Sequence, residues 1–338
     1  MRATFDWSFE LLPEAERVIL RRLAVFAGPF SLDAAGAVAA SRPEISPWEV
    51  VEGLTSLVAK SLVAAEDAGA GIRFRLLDTT RAYALEKLDE SGEHEKPARR
   101  HAEYGRSRFE QAEAELERRP ASEWLVENMG AIENLRAALD WTFSPNGDPS
   151  IGVALTAAAV PLWMQLSLVG EARHRVEQAL GALAAGAETD PHWEMKLYAA
   201  LGASLIYTRG GGPEIASAWT KALEISESLG DAEYQMRSLW GLWSFYVNGV
   251  QYHTALTLAH KYASLAGTRP DPNDRLTGER MIGVSHHYLG DQQSARRHME
   301  RALADSGAPD YKRQIIWLQL DRRVTARIQL RHRGRAGG

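Results

Sequence analysis

The stretch SPWEVVEGLTSLVAKSLVAAEDAGAGIRFRLLDTTRAYALEKL, residues 46–88, changes its hydrophobic period twice, and those changes decide how the N-terminal part folds. It opens as a helix: Ser46 is placed as cap, Pro47 takes the first helical position, and Glu49 stands three residues after the serine as a capping box. Val50, Leu54, Leu57 and Val58 supply its apolar face. After Lys60 the pattern shortens to two strand-like runs, Leu62–Ala65 and Ile72–Leu77, flanking the glycine-containing loop Glu66–Gly71. Helix then returns over Arg81–Leu88, with Asp78 and Thr79 as caps, Tyr83, Leu85 and Leu88 inward, and Ser91-Gly92 as the stop.

Working upstream, Pro13–Phe26 carries Ala15, Val18, Ile19, Leu23 and Phe26 on one helical face and is ended by Gly28-Pro29. Ser31 caps a short helix from Leu32 to about Ala40, closed by Arg42-Pro43. Three helices, two strands and a helix in this order give the winged helix-turn-helix topology, which assigns residues 1–93 to a winged-helix domain.

Working downstream, everything from Lys96 reads as helix. Gly170, the Gly210–Gly212 cluster, Gly249 and Gly290 recur at intervals of about forty residues, each followed by similar helical segments. The clearest copy is Tyr288-Leu289-Gly290-Asp291 with Ala295 and Ala302-Leu303; Gly212 with Ala218 and Ala222-Leu223, Gly249 with Ala255 and Ala259, and Gly170 with Ala179-Leu180 are further versions. Glycine turns the chain between antiparallel helices, and alanine lets the second helix approach the first. The predicted fold is mainly α: a winged helix-turn-helix domain followed by an α-helical, tetratricopeptide-like (TPR-like) solenoid. Residues 94–148 form a helical linker or first hairpin, 149–326 the repeats, and 327–338 a basic, disordered tail.

Composition limits the chemistry. The 338 residues contain no cysteine, so disulfides, zinc fingers, thiolate catalysis and iron-sulfur ligation are excluded, and a reducing, cytoplasmic setting is expected. Apolar residues at 45% and charged residues at 25% are the mixture of a folded protein. The net charge of -5 is uneven: residues 1–93 hold 10 basic and 15 acidic side chains, whereas residues 296–338 hold 11 and 4. Asp6 and Glu10 interrupt any secretory core. Pro149–Gly170 carries no charge and could reach across a bilayer, but its alanines, Pro161 and Gln165 read as a buried helix, so no membrane partner is expected.

Several segments resemble one family. Phe5-Asp6-Trp7-Ser8, Leu11-Leu12-Pro13-Glu14-Ala15-Glu16-Arg17, Leu23-Ala24-Val25-Phe26-Ala27-Gly28, Leu57-Val58-Ala59-Lys60-Ser61-Leu62 and Arg75-Leu76-Leu77-Asp78-Thr79-Thr80-Arg81-Ala82-Tyr83-Ala84 resemble the winged-helix region of bacterial STAND ATPases. Glu133-Asn134-Leu135-Arg136-Ala137-Ala138-Leu139-Asp140-Trp141 is similar to the helix that opens the family's repeats. The resemblance is to AfsR-type, ATPase-like transcriptional regulators, and covers the chain to about Ala326. It implies a winged helix that closes over a P-loop ATPase and helical repeats that sense a signal. No Gly-x-x-x-x-Gly-Lys-Ser/Thr sequence occurs here, so no phosphate-cradling loop is present and ATP hydrolysis by this chain alone is not expected. A winged-helix histidine on the nucleotide phosphate, known in the wider class, has no counterpart, since the first histidine is His94. The basic end Arg331–Gly338 lacks a capping repeat, which reads as a fragment or split-gene product.

No catalytic, cofactor-binding or metal-binding residue is expected. His286-His287 with Asp291 would place adjacent side chains about 100° apart on a helix, which does not converge on one ion. Glu113, Glu115 and Glu117 alternate around a charged helix, and no Gly-x-Ser-x-Gly elbow occurs. DNA reading by the third helix is disfavoured: Ser31–Lys60 holds Arg42 and Lys60 against Asp33, Glu44, Glu49 and Glu52, and the wing adds only Arg73 and Arg75. The tail arginines Arg322, Arg323, Arg327, Arg331, Arg333 and Arg335 read as a solvated end. Trp219, Tyr234, Trp240, Trp243, Phe245, Tyr246, Tyr252 and Tyr288 cluster in the repeats; most read as core, with Trp240, Trp243 and Tyr246-Val247 at three- and four-residue steps forming one buried stripe, and Trp219, Tyr234, Trp243, Tyr246, Tyr252 and Tyr288 are the candidate partner-binding set. The expected function is non-enzymatic: the repeats bind a protein, or a small inducer, and the winged helix packs on a P-loop ATPase module. A free-standing TPR-like scaffold is the alternative, and a direct DNA-binding regulator a third reading.

Overall fold

The computed structural model describes residues 2–304 apart from 42–43, 68–70, 117, 189 and 209–211. Helix α1 (Arg2–Glu10) leads into α2 (Glu14–Leu23), α3 (Leu32–Ala39) and α4 (Pro47–Ala59); strands β1 (Val63–Asp67) and β2 (Ile72–Leu76) follow, then α5 (Asp78–Glu90). The caps behave as their chemistry requires. Ser31 accepts the Ala34 amide at 3.1 Å, and Ser46 and Glu49 exchange both bonds of a capping box. The strands pair antiparallel with Val63 opposite Leu76 and Asp67 opposite Ile72, and Phe30 bridges to Phe74 as a short third edge. This is the winged helix-turn-helix, built around Ile19, Leu23, Val38, Val50, Leu54, Leu57 and Leu88. Gly53 marks the crossing of α2 and α4, because a Cβ there would lie 2.5 Å from Ile19 Cδ1.

Three local expectations shift. The helix expected over Pro13–Phe26 ends at Leu23, where the Ala24 amide turns back three residues to Arg21 O. Asp78 does not cap α5 from outside but is its first residue, placing a carboxylate at the positive end of the helix dipole. Helix α1 was not read from the sequence; Tyr83 on α5 ties it down by donating to Asp6 at 2.8 Å.

The winged helix runs on into α6 (Glu95–Leu116), α7 (Ala121–Asn128), a 3-10 turn (Met129–Ala131) and α8 (Ile132–Thr142). Helix α6 packs against both α3 and α8. The apolar α9 (Pro149–Gln165) follows, with Ile151, Val153–Leu155 and Ala157–Val160 buried. Among the described residues no helix is long and apolar enough to cross a membrane. The chain divides into two compact units, Met1–Leu162 with Gly181–Glu188, and Trp163–Leu180 with Thr189–Gly338.

The second unit contains most of α10 (Val169–Ala184) and then α11 (Pro191–Thr208), α12 (Pro213–Leu229), α13 (Ala232–Asn248), α14 (Tyr252–Gly267), α15 (Pro272–Tyr288) and α16 (Gln292–Ala304). From α11 onward each helix packs on the next through a short connection, the helical-repeat arrangement. Alanines line the close approaches as expected: Ala255, Ala259 and Ala222 are fully buried, and Ala295 nearly so.

The glycine turns need correction in part. Gly290 (φ 86°) takes the left-handed conformation that reverses the chain, and so does Gly230 (φ 68°), which was not read from the sequence, whereas Gly212 caps the start of α12 at φ -76°. At the Gly249 turn, however, Gly249 keeps φ -84° and Val250 (φ 62°) takes that conformation. Gly170 lies inside α10, and the residue with positive φ before it is Ser167 (φ 59°). A glycine near a turn is visible in sequence, but which residue absorbs the strain depends on where the preceding helix stops. Gly210 and Gly211, Arg42-Pro43, Ala68–Ala70 of the wing loop, Glu117, the Tyr311–Ala326 pattern and the tail arginines lie outside the described residues.

Candidate functional site

Helix α4 holds the position of a DNA-reading helix, and its surface is set by which residues the core claims. Val50, Gly53, Leu54 and Leu57 face inward, so Trp48, Glu49, Glu52, Thr55 and Ala59 remain on the outer side. Trp48 is 66% exposed. Glu49 is held below the ordinary carboxylate range by the Ser46 backbone N–H and hydroxyl and stays ionised. Between Pro47 and Ala59 there is no cation, and Lys60, at the helix end, is paired with Glu16 at 2.5 Å. A phosphate backbone approaching this face would meet two carboxylates and an indole. Trp48 stands exposed beside the carboxylates of Glu49 and Glu52.

Behind that face, the winged helix is bolted to α8. Asn134 accepts the Gly28 amide at 2.9 Å and donates to Pro29 O at 2.7 Å. Gly28 eases this contact, since a Cβ would lie 3.1 Å from Glu133 Cβ. Arg81 of α5 donates to Ala24 O and Phe26 O at 3.1 and 2.8 Å, satisfying carbonyls left open where α2 stops. Helix α6 adds the Phe26–His101 edge contact, ring centroids 4.8 Å apart, and Arg100 donates to Ala40 O. The sequence marked Glu133-Asn134-Leu135 as a motif but not Asn134 as a clasp; a lone asparagine beside an apolar run, with a glycine-proline turn in the partner domain, is the available signal.

The candidate aromatic residues of the repeats fall into two groups. Trp219, Tyr234 and Trp243 are 5%, 7% and 6% exposed and belong to the core, as does Trp240 at 7%. Trp219 of α12 is wedged between Gly202 of α11 and Gly241 of α13, whose added Cβ atoms would come within 2.7 and 2.3 Å of its ring. Trp243 donates to Ser285 Oγ at 3.0 Å, and Tyr234 lies 4.6 Å beneath the Arg237 guanidinium. Tyr246 and Tyr252 are partly exposed, and Tyr288 is 46% exposed. The structure brings Tyr252 and Tyr288 together as a parallel stack, centroids 5.0 Å apart and 9° between planes. Tyr246 does not join that stack; it meets Phe245 edge-on at 5.3 Å. The histidine pair also separates, His286 towards Asp291 at 3.3 Å and His287 towards Gln292 at 3.2 Å. Among the described residues no group of three or more histidines and carboxylates is placed to hold a metal.

Comparison with known proteins agrees with the N-terminal architecture. Residues 12–89 match the winged helix-turn-helix domain family. The chain is similar to a candidate HTH-type transcriptional regulator of Mycobacterium tuberculosis, 42% identical over 167 residues, which is 48% of this chain and 18% of that protein. An uncharacterized protein of the same organism is 46% identical over 91 residues, 27% of this chain and 23% of its own length. The matched regions thus span no more than a quarter of either relative. Among solved structures, a STAND protein with a tetratricopeptide repeat sensor from Pyrococcus horikoshii aligns over 88% of this chain and 51% of its own, with a TM-score of 0.45 and 16% identity. Residues 12–89 are therefore a winged helix-turn-helix domain.

Proposed function

We propose that this chain is the regulatory part of a transcriptional regulator of the STAND, AfsR-type kind. Its winged helix docks on a P-loop ATPase module, and its helical repeats receive the signal by binding a protein or a small inducer. The observation that carries the reading is the outer face of α4: Trp48 exposed, Glu49 and Glu52 beside it and no cation along the helix. Such a face repels DNA phosphates and suits a basic, partly apolar protein surface. Similarity to a mycobacterial HTH-type regulator supports a role in transcription control. The clasp of Asn134 on Gly28-Pro29 supports transmission, because a displacement of α8 is passed to the turn beside α3.

The test is co-purification of the tagged chain from its own host, with and without nuclease, beside Trp48→Glu. The expected result is a P-loop protein retained by the wild type despite nuclease and lost from the variant. Nuclease-sensitive retention that weakens steeply with salt would support DNA reading instead. The stacked Tyr252–Tyr288 pair favours a second reading, a free-standing scaffold with Tyr246, Tyr252 and Tyr288 on its contact surface. In that case partner recovery survives Trp48→Glu and fails with Tyr288→Ala.

A further inference from the structure

A cavity of about 290 Å³ lies where the wing and the end of α2 face α6 and the α7–α8 segment, all within the first unit. Its walls are apolar and aromatic: Phe26, Phe30, Phe109 and Leu135, each 2–3% exposed. Phe26 and Phe30 are already stacked, centroids 4.4 Å apart, so the wall is a preformed flat surface.

The polar groups of the cavity are not all satisfied by the protein. His101 lines it, is 4% exposed, and makes no hydrogen bond among the described residues. Its ring nitrogens are left to whatever fills the cavity, so a ligand group can hydrogen-bond there. Burial, with Arg81 nearby, pushes His101 down to about 4, so at neutral pH it presents one N–H donor and one bare nitrogen acceptor. At the mouth, Arg73 of β2 and Arg108 of α6 are half-buried, and among the described residues neither has a carboxylate within 4 Å. Three acids share the rim. Glu127 is taken by Arg119 through two bonds of 2.7 Å, while Glu66 and Asp67 stand exposed in solvent. Glu127 lies close enough for both arginines to lower its pKa, yet it forms its ion pair with Arg119, so the guanidinium groups of Arg73 and Arg108 keep donors open to a ligand.

We propose that this cavity binds a small planar aromatic carboxylate, its ring against the phenylalanine walls and alongside His101, and its carboxylate taken by Arg73 and Arg108. The volume sits at the small end of ligand sites, which suits one or two fused rings rather than a nucleotide. Arginine is matched to the acid because its planar fork engages both carboxylate oxygens. The site goes beyond the regulatory reading above: it lies at the winged helix rather than in the repeats, and it stands whether or not α4 docks an ATPase.

The test is isothermal titration calorimetry of the full chain with 2-naphthoate and indole-3-carboxylate, against the neutral 2-naphthylmethanol. Expected is saturable one-to-one binding of at least one acid, tighter than about 1 mM. The alcohol should bind about tenfold or more weaker, and the Arg73→Gln/Arg108→Gln variant should lose the same factor for the acid. His101→Leu, which replaces an unbonded imidazole with a side chain of similar size, should weaken the acid while leaving the urea midpoint unchanged or raised. Failure of both acids to bind below about 1 mM would overturn the proposal, and so would equal affinity for acid and alcohol. The acid-alcohol comparison needs no variant, so it decides even if a substitution unfolds the chain. A regulator that docks its ATPase but binds no acid defeats this inference alone, and an acid-binding chain that retains no ATPase defeats the other alone.

Discussion

Replacing Asn134 by alanine removes both bonds that join α8 to the turn after α2, and the cost can be worked from their geometry. At 2.9 and 2.7 Å they are ordinary amide bonds, each contributing about 1 kcal/mol net. The greater loss comes from what they leave behind. Gly28 is buried, its amide has no other partner among the described residues, and an orphaned buried N–H costs roughly 1–3 kcal/mol. Together Asn134→Ala should lose about 2–4 kcal/mol. Urea unfolding followed by circular dichroism gives the total, and hydrogen exchange at the Gly28 amide localises it. Asn134→Asp sharpens the test: it keeps an acceptor for Gly28 but sets a carboxylate against Pro29 O, so at neutral pH it should recover little, and more on acidification. A loss below about 0.5 kcal/mol, or unchanged Gly28 protection in the alanine variant, would refute the clasp.

Four other outcomes follow from the packing. His101 carries a folded-state pKa of about 4 against 6.5 unfolded, so the unfolded chain binds the extra proton and the stability it contributes is present above pH 6.5 and lost as pH falls towards 4. That window is worth about 3 kcal/mol, and His101→Leu should flatten it in urea midpoints measured from pH 7 to 4, whereas parallel curves would show that other groups govern the acid limb. Val250, 67% exposed with φ 62°, sits in a conformation costly for a β-branched side chain, so Val250→Asn should raise stability by about 1 kcal/mol in the same assay. Gly241→Ala would drive a methyl to 2.3 Å from Trp219 Cε2 and should cost about 1–3 kcal/mol or more, read as a lowered thermal midpoint. Trp48→Glu exchanges an exposed side chain and should leave the midpoint within about 0.5 kcal/mol of wild type while abolishing partner recovery.

What could be read in advance follows the range of the interaction. Ser46, Pro47 and Glu49 act within one turn, so their capping box is visible in four letters. The wing is visible because alternation and a glycine loop are local signals. Helix α1 escaped because its short, partly acidic sequence has no clear apolar stripe, and Asp6 is held by Tyr83 far along the chain. Asn134 and Gly28 are more than a hundred residues apart, so their clasp exists only once α8 has folded back. The cavity is less legible still, since its walls come from the turn after α2, from α3, the wing, α6 and the α7–α8 segment. In the repeats, recurring small residues disclosed helix packing, yet of the aromatic side chains offered for partners Trp219 fills the gap that Gly202 and Gly241 leave open, and Tyr234 and Trp243 are buried as well.

The regulatory reading is tested at closest range by placing a photo-crosslinking phenylalanine analogue at position 48 of the full chain in its host. Covalent capture of a P-loop protein, identified by mass spectrometry and absent when the analogue replaces Val250, exposed on the repeats, is the expected result. Crosslinking to DNA, or no P-loop protein among the products, would overturn that reading.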